Sequence, residues 1–212
     1  YLDSGTVVDL GIMYGDLPEG VFLSKWVSEK YGIKSLSDLN NPDFAKLVDG
    51  DGDGIGDLYG CDPGWACAAK NDKLITAYGL DKLYKQVVGS THLLKAAAVG
   101  RILSKKPVLM YNFYPNDIFI DYPMGKDFVY LEEPQKFYNK SYVPKLANKK
   151  WVDANPKAAQ LVRQINITGE DVMSWMKVTR DAGDDPKILE KLARQWIKKH
   201  QSKVDSWLKA IK

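Results

Sequence analysis

The chain has 212 residues and a formal net charge of +3, with 45% hydrophobic and 27% charged residues. That length holds one large or two small domains with a real core. The small charge, with Lys and Arg interleaved among Asp and Glu, argues against a nucleic-acid partner. The best candidate for a membrane span, "AAAVG" at 96–100, is far too short.

The chain opens on "YLDSGTVVDLGIMYG" with no Met, charged n-region or apolar h-region, so it reads as processed, trimmed or excerpted. "VVDLGIMY" (7–14) predicts a strand and "EGVFLSKWVSEKYG" (19–32) a short helix ending at Gly32. "SLSDLNNPDFAKLV" (35–48) predicts two helical turns interrupted by Pro42, followed by an Asp-Gly loop. A helix starting at Pro63-Gly64 runs to a stop at Gly79, and Ser90 caps an amphipathic helix over 90–106. "PVLMYNF" (107–113) and "DFVYLEE" (127–133) predict strands, joined by sequence rich in turn residues. The pattern changes after about 138–148, where a domain crossing is expected. Three helices then follow over 155–165, 168–183 and 185–211, with Ser/Thr/Asp/Asn caps and first-turn prolines. Strands alternating with helices, then a helical tail, define an α/β protein.

The two cysteines, Cys61 and Cys67, lie six positions apart across Pro63-Gly64. They read either as a small disulfide ring or as free thiols. The close spacing favours the ring, which would imply an oxidising compartment. The spacing is not C-x-x-C, and two sulfurs without a nearby histidine make a poor zinc site. Asp49, Asp51, Asp53, Gly54 and Asp57 match positions 1, 3, 5, 6 and 9 of an EF-hand loop, and Ile55 would supply the carbonyl of position 7. Position 12, normally a bidentate Glu, is Gly60. Carboxylates crowded this closely repel one another unless a cation sits among them. The expectation is therefore either a structural Ca²⁺ or a solvated Asp-Gly turn, with no other cofactor required.

"GCDPGWAC" (60–67), then "KKPVLMYNFYPND" (105–117), "GKDFVYLEEP" (125–134) and "ANKKWVDANPKAAQLV" (147–162), resemble in order the ProX/OpuAC-type substrate-binding proteins. These are the extracytoplasmic receptors of ABC importers for glycine betaine and related quaternary ammonium solutes. The resemblance implies a periplasmic-binding-protein-like (type II) two-lobe α/β fold with a ligand cleft between the lobes. Residues 10–137 would form the second lobe and residues 138–212 the return into the first. The N-terminal part of that first lobe would be trimmed, absent or on another segment, leaving sheet edges and apolar surface exposed.

A quaternary ammonium has no N–H donor, so the physical solution is a cage of aromatic faces, each contributing about 0.5–2 kcal/mol. The resemblance makes Trp65 one cage wall, and gives the backbone N–H groups of Ala66 and Cys67 to the ligand carboxylate. A helix start after Pro63-Gly64 independently leaves those donors unpaired. The bland reading of Trp65 is a core residue packed on the cysteine ring. Phe113 stands where the family commonly has Trp, and strand alternation puts Tyr111 on the same face. Tyr111 and Tyr114 are further candidates, against ordinary strand packing. Asn116 and Asp117 replace aromatics of the family, which opens the ligand to choline or trimethylamine N-oxide. Glu19 would either border the cleft, near the cation, or simply favour a helix N-terminus.

His92 reads as a helix residue and His200 as a surface residue. Trp151, Trp175, Trp196 and Trp207 read as core or lobe-packing residues. "NKS" (139–141) and "NIT" (166–168) fit glycosylation sequons at chance frequency. There is no nucleophile–base pair, phosphate loop or H-E-x-x-H motif. The sequence is therefore read as a non-enzymatic receptor. It would be periplasmic or otherwise extracytoplasmic, lipid-anchored or fused to a permease in its full length, with a small ligand and an ABC permease as partners. The alternative class is a calcium-stabilised interaction module that binds no ligand.

Overall fold

Strand β1 (Val7–Leu17) is long and irregular, with register shifts along its pairing. The computed structural model describes residues 2–183, 185–209 and 211. These fall into two units: 18–139, and 1–17 together with 140–212. Residues 10–17 thus group with the C-terminal part of the chain rather than with 18–137.

The unit of residues 18–139 opens with β2 (Glu19–Ser24). The helix expected over 19–32 is corrected here: only α1 (Lys25–Tyr31) is helical, ending on Gly32 in the left-handed region. Gly20–Ser24 are all buried, and the run lies between two neighbouring strands. Ladder pairing on both sides outweighs local preference, as happens with short apolar runs. A 3₁₀ turn (Leu36–Leu39) and α2 (Pro42–Val48) follow, the latter capped by Asn41, whose side chain accepts from the N–H groups of Asp43 and Phe44. Next come β3 (Gly56–Tyr59), α3 (Ala66–Ala77), β4 (Tyr84–Val87), α4 (Thr91–Leu103), β5 (Leu109–Phe113), α5 (Ile118–Asp121) and β6 (Phe128–Tyr130).

The sheet order is β4-β3-β5-β2-β6. β3 runs parallel to β4 and β5, whereas β2 is antiparallel to β5 and β6. Strands β3 and β4 are too short for sequence alternation to reveal. Phe22, Phe44, Phe128, Leu23, Leu36 and Leu131 are completely buried. Arg101 is also buried: its Nε donates to the Pro107 carbonyl at 2.7 Å and its Nη2 to the Leu47 carbonyl at 2.8 Å. The guanidinium thereby satisfies carbonyls at the end of α2 and in the turn before β5.

In the other unit β1 pairs antiparallel with β7 (Ser141–Asn148), a strand the sequence pattern does not announce. Helices α6 (Lys149–Ala154), α7 (Pro156–Gln164), α8 (Gly169–Asp181), α9 (Pro186–Lys199) and α10 (Gln201–Lys209) complete it. The single helix expected over 185–211 breaks at His200, which is the C-cap of α9. The His200 ring lies 4.3 Å from that of Trp196, so it is half-buried rather than a surface residue. Trp196 and Trp207 are buried and stacked at 5.9 Å, with Trp175 edge-on to Trp196 at 6.4 Å. Trp151 does not join them and is 41% exposed. Buried Lys145 donates to the carbonyls of Arg163 and Ile165 at 2.9 and 2.7 Å, closing the end of α7.

Candidate functional site

The parallel strands β3 and β5 end side by side, and the segments leaving them build a pocket within residues 18–139. Strand β3 ends at Tyr59, and the chain then turns through Gly60-Cys61 into the start of α3. A Cβ at Gly60 would sit 2.2 Å from the Gln86 side chain, so glycine is required for this close approach. The turn is set by Asp62: its side chain accepts the Gly64 N–H and its carbonyl the Trp65 N–H, both at 2.9 Å. Cys61 and Cys67 form a disulfide with Cα atoms 6.4 Å apart, tying the end of β3 to the first turn of α3.

Trp65 is the N-cap of α3 and is 48% exposed. It is therefore not a core residue packed on the cysteine ring. Its ring stands on the rim of the pocket, which is also lined by Tyr59, Gly60, Cys61 and β5 residues Met110 to Phe113. Helix α4 contributes Thr91, Leu94, Lys95 and Ala98, and the segment after β5 adds Asn116, Asp117 and Ile118. At the head of α3 the Ala68 N–H returns to the Trp65 carbonyl, while those of Ala66 and Cys67 have no hydrogen-bond partner among the described residues. Such donors at a helix N-terminus, reinforced by the helix dipole, favour an anionic group.

Tyr111 and Phe113 both line this pocket with Trp65, so one cavity collects three of the aromatic candidates. Tyr111 is buried, and its hydroxyl donates to Glu19 Oε1 at 2.9 Å. Burial, then the Glu19 charge, holds that phenol far above its usual range, so it stays a neutral donor. Glu19 is not at a helix start but begins β2, opposite Phe113, and its carboxylate holds Tyr111 without itself lining the pocket. Tyr114 also stands outside the lining: its ring is 6.3 Å from Phe119 and its N–H donates to the Pro18 carbonyl.

Two features escape sequence reading. Lys95 and Asp117 form an ion pair inside the pocket lining. Their link joins helix α4 to the segment after β5, and nothing in local spacing signals it. The second feature is a polar network behind the aromatic wall. Tyr138 packs on Tyr111 at 5.0 Å and donates to Asn71, which is fully buried and donates in turn to Gln86 at 2.9 Å. Gln86 bonds the Ala68 carbonyl and Asp72 at 2.9 and 2.8 Å, so the network locks the first half of α3 to β4.

The Asp-Gly loop lies at the opposite end of β3. Asp49, Asp51 and Asp57 bring carboxylate oxygens within 4.8 Å of one another. Asp53 is outside that trio: it bonds Lys85 at 2.6 Å and accepts the Ile55 N–H at 2.9 Å.

A solvent-open pocket with aromatic walls, a compensated ion pair and free helix-terminal amides has the chemistry of a small-molecule binding site. The sequence matches, over residues 1–199, the family described as the substrate binding domain of the ABC-type glycine betaine transport system, OpuAC, and the chain belongs to that family. Its members are receptors, not enzymes. Among curated relatives, the chain is 28% identical over 216 residues to the glycine betaine/proline betaine-binding periplasmic protein of Escherichia coli K12, covering 93% of this chain and 66% of that protein. It is also 28% identical over 224 residues to the glycine betaine-binding periplasmic protein OusX of Dickeya dadantii 3937, covering 95% and 67%. The chain thus spans about two thirds of the length of the curated relatives it matches. Among solved structures, lactococcal OpuAC, closed on glycine betaine, aligns with a TM-score of 0.72 at 23% identity, over 96% of this chain and 72% of that one. An ABC-transporter choline-binding protein in complex with choline aligns at 0.73 and 16% identity, over 99% and 68%. These likenesses establish the mixed α/β fold of the type II binding proteins. The curated relatives are periplasmic by name, and among the described residues no helix is long and apolar enough to cross a membrane.

Proposed function

We propose that this protein is an extracytoplasmic solute receptor of an ABC importer. It captures a small quaternary ammonium osmolyte of the glycine betaine kind and delivers it to the membrane permease. Family membership supports the class of activity. The observation that carries the ligand chemistry is the exposed Trp65 at the head of α3, beside the open amides of Ala66 and Cys67.

A trimethylammonium group would lie against the faces of Trp65 and Phe113, with Tyr111 behind, at about 0.5–2 kcal/mol per ring. The carboxylate of a betaine ligand would accept from the Ala66 and Cys67 N–H groups. The Cys61–Cys67 bridge holds those donors in place before the ligand arrives, which lowers the ordering cost of binding. No covalent step is involved. The receptor would work in the periplasm or, by lipid anchor or fusion to the permease, at an outer membrane face.

Choline or trimethylamine N-oxide is the second reading. It is favoured by Phe113, a smaller wall than tryptophan, and by the polar Asn116 and Asp117 in the lining. A titration of intrinsic tryptophan fluorescence with glycine betaine, choline and trimethylamine N-oxide ranks the three. A saturable change with one of them, absent from Trp65→Ala, supports the receptor. A folded protein that responds to none would instead be a non-binding interaction module.

A further inference from the structure

We propose that the Asp49–Asp57 loop is a calcium site that anchors the start of β3, at the end away from the ligand pocket. The carboxylates of Asp49, Asp51 and Asp57 offer oxygens that all lie within 4.8 Å of one another. Oxygens facing each other across one Ca²⁺, at 2.3–2.6 Å each, are about 5 Å apart, so this spread is what a single ion spans.

The observation that points to an ion is Asp57. It is 3% exposed, and its Oδ2 accepts the Gly50 N–H at 2.8 Å, but its buried Oδ1 has no hydrogen-bond partner. A buried carboxylate oxygen without a donor is rare in folded proteins and calls for a bound water or ion. The nearest cation does not resolve it. Lys85 Nζ is 3.7 Å from Asp57 Oδ1, beyond hydrogen-bond reach, because it is drawn 2.6 Å from both Asp51 and Asp53.

The charge balance points the same way. Asp49, Asp51, Asp53 and Asp57 bring four carboxylates against one ion-paired cation, Lys85, because Arg101 reaches only the Asp49 backbone carbonyl, through Nη1 at 3.4 Å. Net negative charge remains, which a divalent ion offsets. The donors are all oxygen, with no nitrogen or sulfur in the cluster, so a hard cation is selected. Gly52 and Gly54 hold φ of 82° and 90°, which lets the loop wrap, and the irregular arrangement of its oxygens suits the larger, geometrically less demanding Ca²⁺ over Mg²⁺. Asp53 and the Ile55 carbonyl are the next ligands in the spacing. Gly60, where an EF-hand has its bidentate Glu, lies instead at the far end of β3, so the site is a weaker relative of that loop. An ion here would tie the end of α2 to β3.

The test uses the full chain stripped with EDTA and returned to chelator-free buffer, with CaCl2 as the only probe. Calorimetric titration should give one saturable site. At 1 mM CaCl2 the unfolding temperature should rise by about 3 °C, with a smaller rise at 1 mM MgCl2. Asp51→Asn, on an exposed part of the loop, should fold normally in EDTA and lose affinity by about tenfold. Lys85→Gln should bind calcium more tightly, because the competing ammonium is gone. Absence of heat and of any shift in both the wild type and Lys85→Gln would show that no ion site exists and overturn the proposal. An equal response to magnesium would overturn the calcium assignment.

Discussion

The two halves of this molecule are held together differently. Residues 18–139 bury Phe22, Phe44, Phe128 and a large aliphatic set behind a five-stranded sheet. In residues 2–17 and 140–211 the buried apolar side chains, among those described, are Leu10, Ala159, Trp196 and Trp207. Ile12, Tyr142, Val143 and Leu146 on the β1–β7 ribbon, and Leu189, Ile197 and Leu208 on the helices, are exposed. The second half relies on capping, on the tryptophan stack and on exposed i,i+4 pairs such as Lys149–Asp153, Lys177–Asp181 and Glu190–Arg194. Exposed pairs of that kind contribute only a few tenths of a kcal/mol each. The pocket at the head of α3 is thus carried by the half with the deeper core. A site that must hold aromatic faces and backbone amides in register needs such a rigid base.

The largest effect that sharpens this contrast is at Phe44. Phe44→Ala empties a fully buried position and should cost about 3–5 kcal/mol. Ile197→Ala, at a position 42% exposed, should cost under about 1 kcal/mol. Urea unfolding, with hydrogen exchange resolved by segment, measures both. Equal losses would break the comparison.

Within the pocket, Asp117→Asn removes the partner of Lys95 and leaves an uncompensated ammonium in the lining. Choline, a net cation, should lose about tenfold in affinity, whereas zwitterionic glycine betaine should lose less. Parallel calorimetric titrations read the ratio, and identical losses would place the pair away from the ligand.

The smallest effect is local to the deep-cored half. Asp38 closes the capping box of the 3₁₀ turn, and the backbone N–H groups of Lys34 and Ser35 hold its carboxyl below its ordinary value. A depressed folded pKa stabilises the fold above the unfolded value, near 3.8, and that contribution is lost as pH falls through the folded value. Asp38→Ala should therefore cost about 0.5–1 kcal/mol at pH 7, and the gap to wild type should close in strong acid. A gap independent of pH would refute the ionic cap.

What the sequence reveals follows the range of the interaction. The helices at 66–77 and 91–103 are legible because their caps and stops are local, and so is Trp65 after Pro-Gly. Strand β2 is misread because its neighbours β5 and β6 come from about ninety and just over a hundred residues on, and only their ladders tell a buried apolar run from a helix. The break at His200 has no proline or glycine to mark it, and the ring contact with Trp196 that accompanies it is invisible to residue type alone. Tyr111 and Phe113 follow from strand alternation, whereas the support behind them, Tyr138 through Asn71 to Gln86, joins three separate elements. The same holds for Lys95 and Asp117. Glu19 is legible as a polar residue near the site, but its role as acceptor for the Tyr111 hydroxyl depends on the β2–β5 register.

The most direct test of the account is a calorimetric titration of the 212-residue chain with glycine betaine, for the wild type and for Trp65→Ala. A single saturable binding event is expected in the wild type, weakened by about tenfold or more when the Trp65 ring is removed. Equal affinities in the two proteins would contradict it, since the ligand would then be held somewhere other than the pocket at the head of α3.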